Sequence, residues 1–202
     1  MVVGEFAQEA ELVIIGAGPA GYEAAFHAAA TGQTVTLIDP RENLGGRCLH
    51  EACIPSKLMA TRLRMAQDGA IDDQEISVPA IPQTQLLEAL DQTVAALGTA
   101  LNKQASSLKI TVVQGNAIFQ DGRSLGVNSD PPQRFKFRRA IIATGATPGK
   151  HPALDHDIDG VKTPAASWTK DIKDQRVLIV GQEIVALEIA SILAELGGLI
   201  TV

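Results

Sequence analysis

The segment "ELVIIGAGPAGYEAAFHAAATGQTVTLID", residues 11–39, limits the folds open to this chain more than any other stretch. An apolar run from Leu12 to Ile15 meets a glycine turn, an Ala-rich stretch of helical character continues to Thr31 and Gly32, and a β-branched run follows from Thr34 to Ile38. This is a strand, turn, helix and strand, and two strands joined through a helix pair in parallel. The segment "RVLIVGQEIVALEIASILAELGGLITV", residues 176–202, restarts the same pattern.

Gly16, Gly18 and Gly21 form GxGxxG directly after the first strand and at the head of the helix, and Asp39 closes the next strand, 23 residues beyond Gly16. Each position has a task in holding a dinucleotide. Gly16 permits the tight turn, Gly18 lets a pyrophosphate approach the backbone, Gly21 lets helix and strand pack closely, and Asp39 can accept hydrogen bonds from a ribose. The first helical turn adds N–H groups and a positive dipole end facing the phosphates. The segment therefore predicts a Rossmann-like α/β fold that binds a dinucleotide.

A second helix is predicted from about Ser56 to Met65, with Pro55 in its first turn. A third runs from Gln83 to Leu108, where Leu86, Leu87, Leu90, Val94, Leu97 and Leu101 recur at helical spacing. From Lys109 the period becomes that of strands: "KITVVQG", "AIFQDGRSLGV" with its Asp121-Gly122 turn, "RFKFRR" and "AIIATG". These predict a parallel strand, a small antiparallel meander and a return strand. Residues 148–175 are polar, carry three prolines and show no sustained periodicity. The expected division is a dinucleotide-binding domain over 1–147, a crossing linker over 148–175 and the start of a second Rossmann unit over 176–202.

A chain of 202 residues with 46% hydrophobic residues suits one such domain or one and a half. The net charge of -6, with Lys and Arg scattered, disfavours a nucleic-acid footprint or a basic membrane-binding face. The N-terminus "MVVGEFAQEAELVIIG" has no basic leader region, and its apolar run is broken well before membrane-spanning length. The expectation is a soluble, cytoplasmic protein.

The chain's two cysteines lie in "GGRCLHEACIPSK", with four residues between Cys48 and Cys53 and Lys57 four residues after the second. A structural staple, half of a metal site and a redox pair are the alternatives. A persistent disulfide is disfavoured in a reducing cytosol, and closing so short a loop restricts the unfolded chain by only about 2 kcal/mol. A zinc site needs four ligands, and His27, His50, His151 and His156 show neither a CxxC partner nor HxxxH spacing. Thiol–disulfide exchange suits the pair, because Lys57 and a helix N-terminus place positive potential beside the sulfur.

In that order, "GAGPAGYEAA", "LGGRCLHEACIPSK" and "AIIATGATP" resemble the pyridine nucleotide-disulfide oxidoreductases that carry a CxxxxC pair, and the "CIPSK" ending looks most like the dihydrolipoyl dehydrogenases among them. The resemblance implies that Gly16, Gly18, Pro19, Ala20 and Gly21 hold FAD, with Asp39, Pro40 and Arg41 at its adenosine ribose. It implies that Gly45 and Gly46 line the flavin-side loop, that Ala117 contacts the adenine, and that Thr144 and Gly145 lie in a loop closing over the cofactor. Cys48 matches the thiol that exchanges with a dithiol substrate such as dihydrolipoamide, and Cys53 the thiol beside the flavin ring. Lys57 matches a lysine near the flavin, paired with a glutamate of the second nucleotide motif, which is Glu188 here. Gly181 opens that second motif, through which NAD(P) binds in the longer parent protein. The resemblance further implies a homodimeric parent of which this chain is the N-terminal part, inactive alone.

Several positions depart from that pattern. Glu183 stands where the family has a glycine, and a carboxylate about 4 Å from a phosphate charge costs about 4 kcal/mol at an effective dielectric of about 20, or about a thousandfold in affinity. NAD(P) is therefore not expected to bind well through this turn. Arg47, His50 and Ala52 replace residues that are more often small, Asn and Gly. Arg47 and His50 can alter the thiols' electrostatics or substrate entry. His151-Pro152 resembles the family's His-Pro only superficially. The competing expectation is a non-catalytic FAD-binding or interaction module. Within the enzymes, mercuric reductase-like and transhydrogenase-like relatives stay open, and a glutathione reductase-like one is the least favoured.

Overall fold

The computed structural model describes residues 7–68, 82–149, 160–168 and 171–202, which form two compact units. The first comprises residues 1–49 and 95–146, and the second residues 50–94 and 147–202. His151 and His156 lie outside the described residues, as does part of the predicted linker.

The first unit is built on a six-stranded sheet. Strand β1 (Gln8–Ile15) leads through helix α1 (Pro19–Ala30) to β2 (Val35–Asp39), and β3 (Thr111–Gln114) extends the parallel part. β4 (Asn116–Asp121), β5 (Ser124–Asn128) and β6 (Gln133–Ile142) complete it, in the order β3-β2-β1-β6-β5-β4. Alternation along β1 sends Leu12 and Ile14 to one face and Val13 and Ile15 to the other, and both faces are covered. On the first face, Ala25, Phe26 and Ala28 of α1 pack with Leu37 and Ala105; on the second, Leu125, Val127, Phe135 and Phe137 of the meander pack with Ile38 and Val113.

Pro19 opens α1, where a missing N–H costs nothing, and Gly32 closes it with φ of 87°. Two of the expected strands, "RFKFRR" and "AIIATG", are one continuous strand, β6. Its first half pairs antiparallel with β5, from Gln133 to Lys136, while Phe135 to Ile142 pair parallel with β1. One strand serves both the parallel part and the meander because β1 begins at Gln8, four residues before its apolar run, and so reaches the meander.

Helix α2 (Gly46–His50) was not anticipated from the sequence, and α3 (Cys53–Asp68) begins ahead of the expected start, with Pro55 in its first turn. Helix α4 (Gln83–Ser107) matches the periodic leucines. The second unit gathers Met59 and Leu63 of α3, Leu86 and Leu90 of α4, and Trp168 and Ile172 around Ile189, Ile192 and Leu193 of helix α5 (Ile184–Glu195). α5 joins β7 (Arg176–Leu178) to β8 (Leu199–Thr201) in parallel, repeating the opening motif. Among its described residues, the polar segment before it holds a 3-10 turn, Pro164–Ala166. The Gln83 side-chain amide fastens the chain beyond that turn: it donates to the Trp168 carbonyl at 2.6 Å and accepts from Ile172 N–H at 3.3 Å. Among the described residues no helix is long and apolar enough to cross a membrane.

Candidate functional site

In the first unit the strand order reverses between β1 and β6, and a crevice at the carboxyl ends of such strands is where α/β sheets bind ligands. The glycine turn sits there. Gly16 has φ of 100°, and a Cβ on it would lie 2.3 Å from the Ala143 carbonyl oxygen. A Cβ on Gly21 would lie 1.8 Å from the Gly16 carbonyl oxygen, so helix and turn close to a distance that no side chain permits. Gly18 differs: a Cβ there would meet nothing nearer than Gly46 Cα, at 4.0 Å. It leaves an open approach to the N-terminus of α1, whose first-turn N–H groups Gly18 precedes as N-cap. The turn has the shape that a bound pyrophosphate needs.

Asp39 ends β2 beneath this turn, nearly buried. Ala17 N–H donates to its Oδ2 at 2.7 Å, and Arg41 N–H to its Oδ1 at 2.9 Å. The carboxylate thus shapes both the glycine turn and the Pro40–Arg41 corner. On the other side of β1, Ala143 N–H donates to the Ile15 carbonyl at 2.8 Å, after which Thr144 and Gly145 run exposed, Gly145 with φ of 68°. Ala117, on β4 opposite Val127, is half-buried against the meander core.

Helix α2 carries Cys48 to the same place. Leu44 and Leu49 are buried, Gly45 N–H donates to the Ala17 carbonyl at 2.9 Å, and a Cβ on Gly46 would stand 2.6 Å from Gly18 Cα. Cys48 is half-buried on α2, and Cys53 is exposed at the head of α3. The phenol of Tyr22 on α1 is held above its ordinary pKa, first by burial and then by the negative charges of Glu23 and of an ionised Cys48.

The second unit brings Lys57 and Glu188 together, 131 residues apart in sequence, with Nζ to Oε1 at 2.9 Å. Lys57 lies one turn into α3 and Glu188 one turn into α5. The lysine side chain is 74% exposed, and ion pairs so exposed contribute about 0.2–1 kcal/mol, so the pair is weak evidence of a stabilising device. Alongside it, Thr61 and Arg64 of α3 and Ser191 and Glu195 of α5 line a groove.

Gly181 precedes α5, and Glu183 is its N-cap residue with φ of -86° and no capping hydrogen bond from its side chain. An exposed carboxylate therefore stands at the helix end where a second pyrophosphate would sit. This turn does not fit that group.

The pyridine nucleotide-disulphide oxidoreductase family model matches residues 10–202. The chain belongs to this family. Among curated relatives, the dihydrolipoyl dehydrogenase of Buchnera aphidicola subsp. Schizaphis graminum is 34% identical over 193 residues, covering 94% of this chain and 40% of that protein. That of Geobacillus stearothermophilus is 31% identical over 207 residues, covering 100% of this chain and 43% of that protein. The chain thus spans less than half the length of these oxidoreductases. Among solved structures, an HOCl-induced flavoprotein disulfide reductase from Escherichia coli superposes with a TM-score of 0.79 at 24% identity, over 94% of this chain and 41% of its own. At that identity the likeness establishes the fold, a Rossmann-like sheet of the disulphide oxidoreductases.

Two further residues shape this candidate site. The Arg47 guanidinium donates from Nη1 to the Ala146 carbonyl at 3.2 Å, which joins α2 to the loop after β6. Asn102 of α4 accepts from Leu44 N–H at 3.3 Å and donates to Asn43 Oδ1 at 2.8 Å, fixing the approach to α2. The only sequence signal for Asn102 is an amide beside Leu101, among leucines of a core-facing helix.

Proposed function

We propose that the chain is the flavin-binding part of a disulfide oxidoreductase similar to dihydrolipoyl dehydrogenase, acting in the cytoplasm on a dithiol such as dihydrolipoamide. The observation that carries this reading is the seating of Gly46 on Gly18, which delivers the helix bearing Cys48 to the rim of the dinucleotide turn. In the longer parent, a homodimer, residues 1–147 would form the FAD-binding domain, 148–175 a linker and 176–202 the start of the NAD(P)-binding domain.

Gly16, Gly18, Pro19, Ala20 and Gly21 would hold the FAD pyrophosphate, with Asp39, Pro40 and Arg41 at the ribose. Gly45, Gly46, Ala117, Thr144 and Gly145 would line the rest of the cofactor's bed. Bound FAD would supply a two-electron acceptor. The chain's own chemistry is exchange at sulfur: a substrate thiolate attacks Cys48 Sγ of the Cys48–Cys53 disulfide, the S–S bond breaks, and Cys53 leaves as a thiolate. The second substrate thiol then displaces Cys48, giving the substrate disulfide and two protein thiols, so two electrons and two protons pass from substrate to protein. Lys57, oriented by Glu188, would keep a positive charge near the flavin, and Gly181 marks the second motif. Glu183 opposes NAD(P) at that turn, so no hydride step is assigned to it.

Reconstitution with FAD tests the reading. The purified chain is expected to retain flavin absorption after gel filtration and, on addition of a dithiol, to develop a new long-wavelength band that Cys53→Ser abolishes. Failure to retain flavin would sink the binding claim. Retained flavin with no dithiol response would instead favour a non-catalytic FAD-binding module.

A further inference from the structure

Arg47 is one of the departures from the family pattern that the proposed function leaves unexplained. Its side chain completes a ring of contacts around the dinucleotide turn. Gly16 lies against Ala143 and Thr144, where a Cβ would be 3.0 Å from Thr144 Cα, and the chain then runs two residues to Ala146. The Ala146 carbonyl accepts from Arg47 Nη1 at 3.2 Å. Arg47 adjoins Gly46, Gly46 presses on Gly18, and Gly18 returns to Gly16. All but one of these junctions are backbone packing or covalent chain. The exception is the side-chain hydrogen bond from Arg47 to Ala146, at an exposed loop, and it is the one that can open without disturbing the core.

We propose that Arg47 is a positioning residue that latches the loop Thr144–Ala146 to α2, so that release of the bound dinucleotide requires this bond to break. The inference rests on the FAD-binding role proposed above. Arginine suits the position because its planar fork reaches a carbonyl from a short helix at a defined angle, which a lysine ammonium does not reproduce. The latch also ties the residue next to Cys48 to the loop expected to cover the cofactor, so that opening one loosens the other.

The test is the FAD dissociation rate of the full chain, followed by recovery of flavin fluorescence on dilution, in wild type, Arg47→Ala and Arg47→Lys. Loss of the Arg47–Ala146 hydrogen bond predicts that Arg47→Ala releases FAD about five- to tenfold faster. Arg47→Lys should behave like Arg47→Ala, and the thermal midpoint of the FAD-free variants should stay within about 2 °C of wild type, as for surface changes. An Arg47→Ala rate equal to wild type would overturn the latch while leaving FAD binding intact. A wild-type rate for Arg47→Lys would assign the effect to charge attraction and overturn it too, as would a large fall in the FAD-free midpoint. If wild type itself takes up no FAD, the failure lies with the proposed function.

Discussion

At Gly21 a single hydrogen atom decides whether helix α1 can approach the turn. The atom that a Cβ would strike is a backbone oxygen at 1.8 Å, which cannot swing aside. Gly21→Ala is expected to cost about 1–3 kcal/mol in urea unfolding, the range for overpacking, and to abolish flavin retention. Gly122, in the β4–β5 turn with nothing within 4 Å of its added Cβ, is the control: Gly122→Ala should stay within about 0.5 kcal/mol. Tyr22 supplies a pH signature. Its folded-state pKa is raised, so between the unfolded and folded values the folded chain holds a proton that the unfolded chain has lost. That contribution to stability is present below about pH 10 and is lost as pH rises through the folded value. Chemical denaturation from pH 8 to 11 should show a decline for wild type that Tyr22→Phe reduces.

Elements differ in how far their own residues determine them. The first strand-turn-helix-strand unit, α4 and the β7-α5-β8 repeat were legible because period, glycines and caps all lie within each segment. The Lys57–Glu188 pair was legible only through the family resemblance, since nothing local in either helix points to a partner 131 residues away. Helix α2 was hidden because five residues opening on a glycine with φ of 56° carry no helical signal; burial of Leu44 and Leu49 and the close seat on Gly18 hold it. The start of α3 was set too late because a proline marks a first turn without fixing which residue of that turn it occupies. The continuity of β6 was hidden for another reason. Its outward Arg134, Lys136 and Arg138 alternate with buried Phe135 and Phe137, after which the pattern turns apolar, and a change of pattern looks like a change of element. The two halves share one backbone, so Phe135→Ala, at a site 2% exposed, is expected to cost about 3–5 kcal/mol and to lower amide protection in β1 as well as in β5. Hydrogen exchange resolved by strand would measure this.

Across the whole chain the two units are unequally covered. The first buries both faces of β1 and β2, though it exposes Ile141 and Ile142 at the end of β6, whereas the second leaves Leu178, Ile184, Leu187 and Leu199 exposed, Ile184 at 82%. Apolar surface of this kind binds hydrophobic dyes and promotes association. Ile184 and Leu187 share a face of α5 at helical spacing, so Ile184→Lys combined with Leu187→Lys should lower dye fluorescence and reduce any concentration-dependent association seen by sedimentation.

The pairing of β1 with β6 governs when this fold can exist. Gln8 lies opposite Phe135 and Ile15 opposite Ile142, so the central strand leaves the ribosome long before its neighbour. At about 5–20 residues per second, more than a hundred intervening residues correspond to roughly 6–25 s in which one edge of β1 stands open. Contacts so distant in sequence also slow closure once the strand arrives. The feature that joins the sheet to its meander therefore makes the newborn chain dependent on protection during synthesis.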